Sequence, residues 1–156
     1  MKFIKTRDNV ISPERAHEND SWIDFFLPEE IIIMPWDNVK IPLGIKVKLP
    51  EGFDLTFVNK SWIASSTWVI VWACLVDNWY RGELILNLIN TSKYQANFVA
   101  GQKIAQGVIR KVSLFAPDEL SELEWETEMA KEDKGRGLGG FGSTGLAPNK
   151  EENEDS

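Results

Sequence analysis

The sequence contains little cysteine, little histidine and no long apolar stretch near its start. Its 156 residues include one cysteine, Cys74, and one histidine. A single cysteine cannot form a disulfide within the chain, which favours a reducing compartment such as the cytoplasm, of a host cell if the gene is viral. Because the first residues, MKFIKTRDNVISPER, include no run of membrane-spanning length, we expect neither a signal peptide nor a membrane anchor there.

Basic residues are also outnumbered. The chain has 17 Lys plus Arg against 24 Asp plus Glu, a formal net charge of −7. Without an excess of cations to neutralise phosphates, indiscriminate binding to DNA or to an anionic membrane is not expected, so we predict neither a nucleic-acid nor a membrane partner. The length and a hydrophobic content of 43% are those of a globular domain with a substantial core.

Short strand-like segments dominate the first two thirds of the chain. They are rich in β-branched and aromatic residues and are separated by Pro, Gly, Asp or Asn. Strands are predicted at 25–27, 30–34, 41–49, 53–59, 68–76, 84–90 and 106–112, with a helical turn at 62–66 and a weak helix at 116–126. Many short strands without a long amphipathic helix predict an all-β barrel or sandwich.

The composition changes after about Asp118, where the chain becomes acidic and then glycine-rich. Five of the 11 glycines lie between positions 137 and 145, and few large apolar side chains remain to offset the entropy of ordering. We therefore predict a β domain at 1–130 and a mobile C-terminal arm at 131–156. The arm formally matches GxGxxG, but only 14 residues follow Gly142, too few for a dinucleotide-binding βαβ unit.

The arm nevertheless has the residue types of a phosphate site. Glycine backbone can present several N–H groups to phosphate oxygens, Arg136 supplies charge, and Ser143 and Thr144 supply hydroxyl donors. Phe141 lies among them and could stack on a base. A flexible tail without function is the alternative for a glycine-rich stretch taken alone.

Three further segments contain candidate site residues. Asp77 closes an apolar strand ahead of Tyr80, where it either caps a hairpin or holds a water as general base. Lys60 and Ser61 follow a strand and either receive a phosphate or begin a helix with a serine N-cap. The turn from Gly101 to Gln106 is a weak signal by itself.

In their order along the chain, these segments resemble the motifs of the trimeric dUTPase family. The resemblance spans residues 10 to 145, and the last segment is nearly letter-perfect. The five matching segments are Ser21-Trp-Ile-Asp24, Lys60-Ser-Trp-Ile-Ala64, Val76-Asp-Asn-Trp-Tyr-Arg-Gly82, Gly101-Gln-Lys-Ile-Ala-Gln106 and Arg136-Gly-Leu-Gly-Gly-Phe-Gly-Ser-Thr-Gly145.

The resemblance implies a jelly-roll-like β fold, a homotrimer whose arm closes a neighbour's site, and hydrolysis of dUTP to dUMP and pyrophosphate. It places the attacking water on Asp77, the deoxyribose against Tyr80 and the uracil near the backbone at Cys74. Mg²⁺ is expected on the triphosphate through its oxygens and water, with no dedicated protein ligands. Asp24 matches the motif-one aspartate, expected to be structural. The remaining predicted substrate contacts are Lys60, Ser61, Gln106, Arg136, Phe141, Gly142, Ser143 and Thr144.

Two other functions are compatible with the same motifs. A dCTP deaminase resembles dUTPase in fold and also binds a pyrimidine triphosphate, although the order Asp77, Tyr80, Gly82 and the full arm favour dUTPase. A catalytically silent nucleotide-binding or regulatory trimer is the other alternative, and it applies if tryptophans block the uracil site.

Tryptophan is unusually abundant, and six of the seven fall between positions 22 and 79. Trp22, Trp36 and Trp62 stand where the family pattern has glycine, and Trp68, Trp72 and Trp79 are further cases. Such replacements would strain a backbone that needs φ > 0 or close approach. One hypothesis is a genetic code in which UGA encodes glycine, read here as tryptophan. The alternatives are a lineage that repacked around tryptophan, or engineering.

Overall fold

The computed structural model describes residues 1–132, which form eleven strands and two helices. The chain divides into two units, Met1–Leu114 and one that begins at Phe115. The strands are β1 (Lys2–Lys5), β2 (Ile23–Phe26), β3 (Ile31–Ile33), β4 (Asn38–Pro42), β5 (Ile45–Lys48), β6 (Phe53–Asn59), β7 (Val69–Ala73), β8 (Leu75–Val76), β9 (Ile85–Asn90), β10 (Ala96–Phe98) and β11 (Lys103–Lys111); the helices are α1 (Ser61–Thr67) and α2 (Glu122–Glu132).

All strand pairs in the first unit are antiparallel. One sheet has the order β2-β11-β6-β8 and another the order β4-β9-β7, while β1 pairs with β5 and β3 with β10. Strands that are adjacent in sequence mostly lie in different sheets, so the chain repeatedly crosses between them. The all-β fold class predicted from the sequence is confirmed. No helix among residues 1–132 is long and apolar enough to cross a membrane.

The core of this unit consists of alternate residues from the paired strands. Leu84, Leu86 and Leu88 are fully buried, and the rings of Phe25 and Phe57 meet edge to face at 5.0 Å between centroids. Gly107 on β11 is required by this packing. A Cβ there would lie 2.7 Å from Phe25 and 2.8 Å from Leu55, closer than carbon atoms can approach.

The predicted strand at 41–49 is wrong as a single element. It is divided into β4 and β5 at Leu43 and Gly44, because Gly44 has φ 69° and turns the backbone out of the extended region. The predicted strand at 68–76 is likewise divided at Cys74, where the chain passes from the β7 sheet to the β8 sheet.

The second unit contains α2, which begins six residues later than the helix predicted at 116–126. Ser121 and Glu124 explain the start, because they form a capping box. The backbone N–H of Ser121 donates to Glu124 Oε2 at 2.8 Å and its hydroxyl to the same oxygen at 2.6 Å. These bonds lower the pKa of Glu124. The boundary at residue 130 stays a prediction. Of the predicted arm, Lys131 and Glu132 are described, as the last residues of α2, and the rest lies outside the described residues.

Candidate active site

A buried carboxylate organises one part of the candidate site. Asp24 on β2 is 2% exposed, and Lys60 Nζ and Gln106 Nε2 both donate to its Oδ1 at 3.2 Å. Lys103 Nζ lies 2.9 Å from Oδ2 and 3.4 Å from a carboxylate oxygen of Glu14. We refer to these five residues as the Asp24 cluster.

Strand register explains why residues so distant in sequence meet here. Gln106 on β11 lies opposite Asp24 on β2, and on its other side it lies opposite Val58 on β6. Lys60 directly follows β6, so its side chain reaches the same carboxylate. Backbone bonds between Glu14 and Asp24 complete the arrangement by bringing Glu14 alongside β2.

The contacts within the cluster favour the ionised form of Asp24. Burial by itself would disfavour the Asp24 carboxylate, but hydrogen bonds from Lys103, Lys60 and Gln106 outweigh it, and the pKa of Asp24 is lowered. The same pairing raises the pKa of Lys103. Glu14 and Asp24 together match the charge of the two lysines, so the cluster is neutral overall, and the half-buried Lys60 ammonium, which pairs with Asp24 alone, is the cation it can offer to a phosphate-bearing ligand.

Ser61 lies next to Lys60 as the first residue of α1. The serine does not act as the N-cap: Lys60 occupies that position, with extended backbone and no side-chain cap. The alternative interpretation of Ser61 as an N-cap is therefore wrong. Its side chain is exposed beside the half-buried Lys60 ammonium.

The second part of the site is the turn at residues 77–80, which we call the Asp77 turn. It follows β8, and the Tyr80 N–H closes it by donating to the Asp77 carbonyl at 3.1 Å. Asn78 anchors it, because its side-chain amide donates to the carbonyls of Pro50 and Phe53. Asp77 itself is exposed, and no residue among 1–132 donates a hydrogen bond to its carboxylate, so both oxygens can accept from water.

Tyr80 is held in one orientation. Its hydroxyl donates to the Glu83 carbonyl at 2.9 Å, and its ring lies so close to Gly82 that a Cβ at position 82 would overlap it. The other face of the side chain is open, with Tyr80 41% exposed. A fixed, partly exposed ring is suited to packing against a flat or sugar-like group.

Cys74 lies at the crossing between β7 and β8, where its carbonyl accepts from the Phe57 N–H at 2.7 Å. The thiol is exposed and free. Cys74 and the Asp77 turn therefore belong to one continuous segment that leaves the β7 sheet and ends beside β6.

The structure brings some predicted site residues together and leaves others apart. Lys60 and Gln106 share one carboxylate, with Ser61 adjacent in the chain. Within residues 1–132, no hydrogen bond or ion pair joins the Asp24 cluster to the Asp77 turn. The predicted residues Arg136, Phe141, Gly142, Ser143 and Thr144 lie outside the described residues.

A cavity of about 320 Å³ lies elsewhere, against β1 and β5. Its lining includes Phe3, Ile4 and Val47 and, from the predicted motif segments, Arg81 alone. This cavity is therefore not the predicted nucleotide site.

Lys103 and Glu14 were not predicted as site residues. Lys103 lies inside the segment Gly101-Gln-Lys-Ile-Ala-Gln106, and its position three residues before Gln106 was the available signal. No feature of the sequence marked Glu14 as a site residue. Its proximity to Asp24 depends on an isolated backbone bridge between a loop that contains Glu14 and strand β2.

Comparison with known sequences connects this arrangement to a family. The family model described as dUTPase matches residues 8–145. The protein of Clostridium novyi (strain NT) named Deoxyuridine 5'-triphosphate nucleotidohydrolase is 35% identical over 94% of this chain and 100% of its own length. Its namesake in Gloeothece citriformis (strain PCC 7424) is 34% identical over 94% of this chain and 97% of its own.

Solved structures of phage dUTPases have the same fold as this chain. A dUTPase of Staphylococcus bacteriophage 80alpha, bound to dUpNHpp, has a TM-score of 0.82 at 23% identity and covers 93% of this chain and 98% of its own. A dUTPase of phage phi11 of S. aureus that coordinates a structural Mg(II) ion has a TM-score of 0.73 at 22% identity, over 78% and 96%. The family match, the sequence relatives and the β fold agree, and the chain belongs to the dUTPase family.

Proposed function

We propose that this chain hydrolyses dUTP to dUMP and pyrophosphate. The observation that carries the proposal is the Asp77 turn, which presents an exposed carboxylate beside a fixed tyrosine ring. The relatives named deoxyuridine 5'-triphosphate nucleotidohydrolase and the phage enzyme bound to dUpNHpp support the choice of substrate.

In this proposal, Asp77 accepts a proton from the water that attacks the α-phosphorus. The carboxylate is exposed and free of described hydrogen bonds, so it can orient a water without breaking an existing contact. Tyr80 packs against the deoxyribose, and its fixed ring leaves no room for a 2′-hydroxyl. The backbone near Cys74 pairs with the uracil edge.

The Asp24 cluster contributes to phosphate binding. Lys60, Ser61 and Gln106 contact the phosphates, and Asp24 holds the first and last of these side chains in place. A preorganised cation next to the developing charge is effective because it needs no reorganisation during the reaction. Arg136, Ser143 and Thr144 of the arm would add further phosphate contacts, with Phe141 on the base and Gly142 backbone close to the nucleotide.

Mg²⁺ is the proposed cofactor. In the described part of the chain, no group of three or more His, Cys, Asp or Glu side chains is arranged to hold a metal ion, and Asp24 is already engaged by two lysines. This donor set fits an ion whose ligands are phosphate oxygens and water. Bound there, Mg²⁺ would neutralise phosphate charge and fix the triphosphate geometry.

We further propose a homotrimer in which the arm closes a neighbour's site. The support is the match to the dUTPase family over residues 8–145, which includes the glycine-rich segment that the resemblance assigns to the closing arm. A cytoplasmic location stays a prediction, based on the single exposed Cys74.

The test is pyrophosphate release from dUTP, dCTP, dTTP and UTP, each with and without Mg²⁺. We expect Mg²⁺-dependent release from dUTP in preference to the others, and a loss of about 10²–10⁴-fold in kcat for Asp77→Asn, because the general base is removed. Asp8→Asn, an exposed aspartate elsewhere on the unit, is the matched control and should leave the rate unchanged.

The same assay separates the alternatives. Ammonia release from dCTP would replace the proposal with a deaminase. Nucleotide binding without turnover of any substrate would replace it with a silent regulatory trimer. Full activity of Asp77→Asn would remove Asp77 from the proposed role.

A further inference from the structure

The backbone at two tryptophans has the conformation that favours glycine. Among residues 1–132, the non-glycine residues with positive φ are Trp36, at 62°, and Trp68, at 59°. A bulky L-residue is strained in this left-handed region, and glycine is not. Tryptophan is a small fraction of the chain, so the coincidence of both such positions with tryptophan requires an explanation.

Trp36 occupies the third position of a turn from Met34 to Asp37. The Asp37 N–H closes the turn on the Met34 carbonyl at 3.2 Å, and Pro35 is at the second position. Proline at the second position and positive φ at the third describe a type II turn, in which the third residue is normally glycine.

Neighbouring bonds prevent this turn from relaxing. The Trp36 N–H donates to the carbonyl of buried Asn90 at 3.0 Å, and the Asn90 N–H donates to the Asp37 carbonyl at 3.0 Å. The surrounding structure thus imposes the left-handed conformation on position 36, whatever its side chain.

Trp68 ends helix α1 in the left-handed conformation, with φ 59° and ψ 20°. Its N–H donates to the Ala64 carbonyl at 3.1 Å, and Thr91 donates twice to its carbonyl, at 3.0 Å and 2.8 Å. This is the residue that follows a helix in a left-handed C-cap, the position in which glycine is strongly preferred.

The indole rings gain little that could offset this strain. Trp36 is 69% exposed and Trp68 is 64% exposed, so neither ring is part of the core. The four other tryptophans before position 80 are also exposed. Trp72 is the extra residue of a bulge in β7, and Trp79 is the third residue of the Asp77 turn, both common places for glycine.

We propose that positions 22, 36, 62, 68, 72 and 79 are glycine in the protein as its own cell makes it, with UGA as their codon. The motif letters around positions 22, 62 and 79 are intact, as expected if only the reading of one codon differs. Trp125 is the exception. It lies inside α2, where glycine would weaken the helix, so we expect a UGG codon and a genuine tryptophan there.

This inference counts against one alternative function, the silent regulatory trimer. A silent regulatory trimer requires tryptophans that fill the site, and glycine at positions 72 and 79 would instead leave the segment around Asp77 open. The inference itself is independent of the proposed activity, because it concerns the chemical identity of six residues.

Peptide masses of the natural protein test it directly. Trypsin cleavage at arginine and lysine gives the peptides 16–40, with positions 22 and 36; 61–81, with positions 62, 68, 72 and 79; and 112–131, with position 125. We expect the first peptide to be lighter by two tryptophan-to-glycine differences and the second by four, with the third unchanged. Tryptophan masses, or UGG codons, at positions 36 and 68 overturn the proposal.

Thermal unfolding of recombinant variants tests the backbone argument separately. With every tryptophan encoded by UGG as the reference, Trp36→Gly and Trp68→Gly should each raise Tm by about 3 °C, because glycine relieves the left-handed backbone. Trp125→Gly is the matched control and should lower the helical signal without raising Tm. A fall in Tm for both Trp36→Gly and Trp68→Gly contradicts the inference.

Discussion

Asp24 is a single residue on which three side chains from other segments depend. Its carboxylate accepts from Lys60 and Gln106 on one oxygen and pairs with Lys103 on the other. If Asp24 were uncharged, two ammonium groups would remain close together without a shared counterion. The geometry of the proposed phosphate contacts therefore depends on the ionisation of a residue that is itself inaccessible to the ligand.

This dependence predicts an acid-sensitive stability. Because the folded state lowers the pKa of Asp24, the aspartate adds stability above its unfolded pKa of about 3.9, and this contribution is lost as the pH falls through the lower folded value. Asp24→Asn should cost about 2 kcal/mol at pH 7 and show a weaker loss of stability as the pH falls below about 4. Urea unfolding across this range measures both. Parallel pH curves for the two proteins would contradict the argument.

Among the elements, β11 connects most of what the site requires. It pairs with β2 on one side and β6 on the other. One strand therefore fixes both the register of Asp24 and the position of the end of β6, which Lys60 directly follows. Gly107 lies in the middle of this strand, against Phe25 and Leu55. Packing at one glycine is therefore coupled to the alignment of the cluster.

Gly107→Ala tests the packing at this glycine. The added methyl overlaps the Phe25 ring and Leu55, so we expect a loss of about 1–3 kcal/mol in unfolding free energy. A second substitution, Phe25→Leu, removes the ring edge that the methyl meets, and the double variant should lose less than the sum of the two single losses. Additive losses in urea unfolding would indicate that the two sites do not share this contact.

Sequence patterns predicted most of the strands and missed β1 and β10. β6 and β9 were predicted because apolar residues alternate along them. β1 was missed because all four of its residues are exposed, and β10 because three residues carry too little pattern. Residue types indicated Lys60 and Asp77, and the family resemblance added Gln106. The convergence of Lys60 and Gln106 on Asp24 depends on register, which no local pattern contains.

At the scale of the whole molecule, we propose that the site takes parts from more than one chain. The Asp77 turn and the Asp24 cluster are separately anchored to the β unit, and the predicted glycine-rich contacts come from the other end of the sequence. A symmetric trimer would supply three copies of each part. Activity would then depend on which chains meet, and not only on which residues each chain carries.

Mixing two inactive full-length variants tests this arrangement. Asp77→Asn removes the proposed base and Arg136→Ala the proposed arm contact, so each variant alone should be inactive. If base and arm come from different chains, trimers assembled at random by co-expression contain about a quarter of sites with both groups intact, and activity returns. An inactive mixture that still forms mixed trimers would assign both groups to the same chain.

The lone indole expected in α2 has an optical consequence. If the six upstream positions are glycine, Trp125 is the only tryptophan fluorophore in the protein, and it lies in the helix that precedes the glycine-rich stretch. Its tryptophan emission would then report on that unit alone, because the β unit would contain no tryptophan. Adding a non-hydrolysable dUTP analogue to the unlabelled protein would show directly, as a change in emission wavelength or polarisation, whether nucleotide alters the surroundings of this helix.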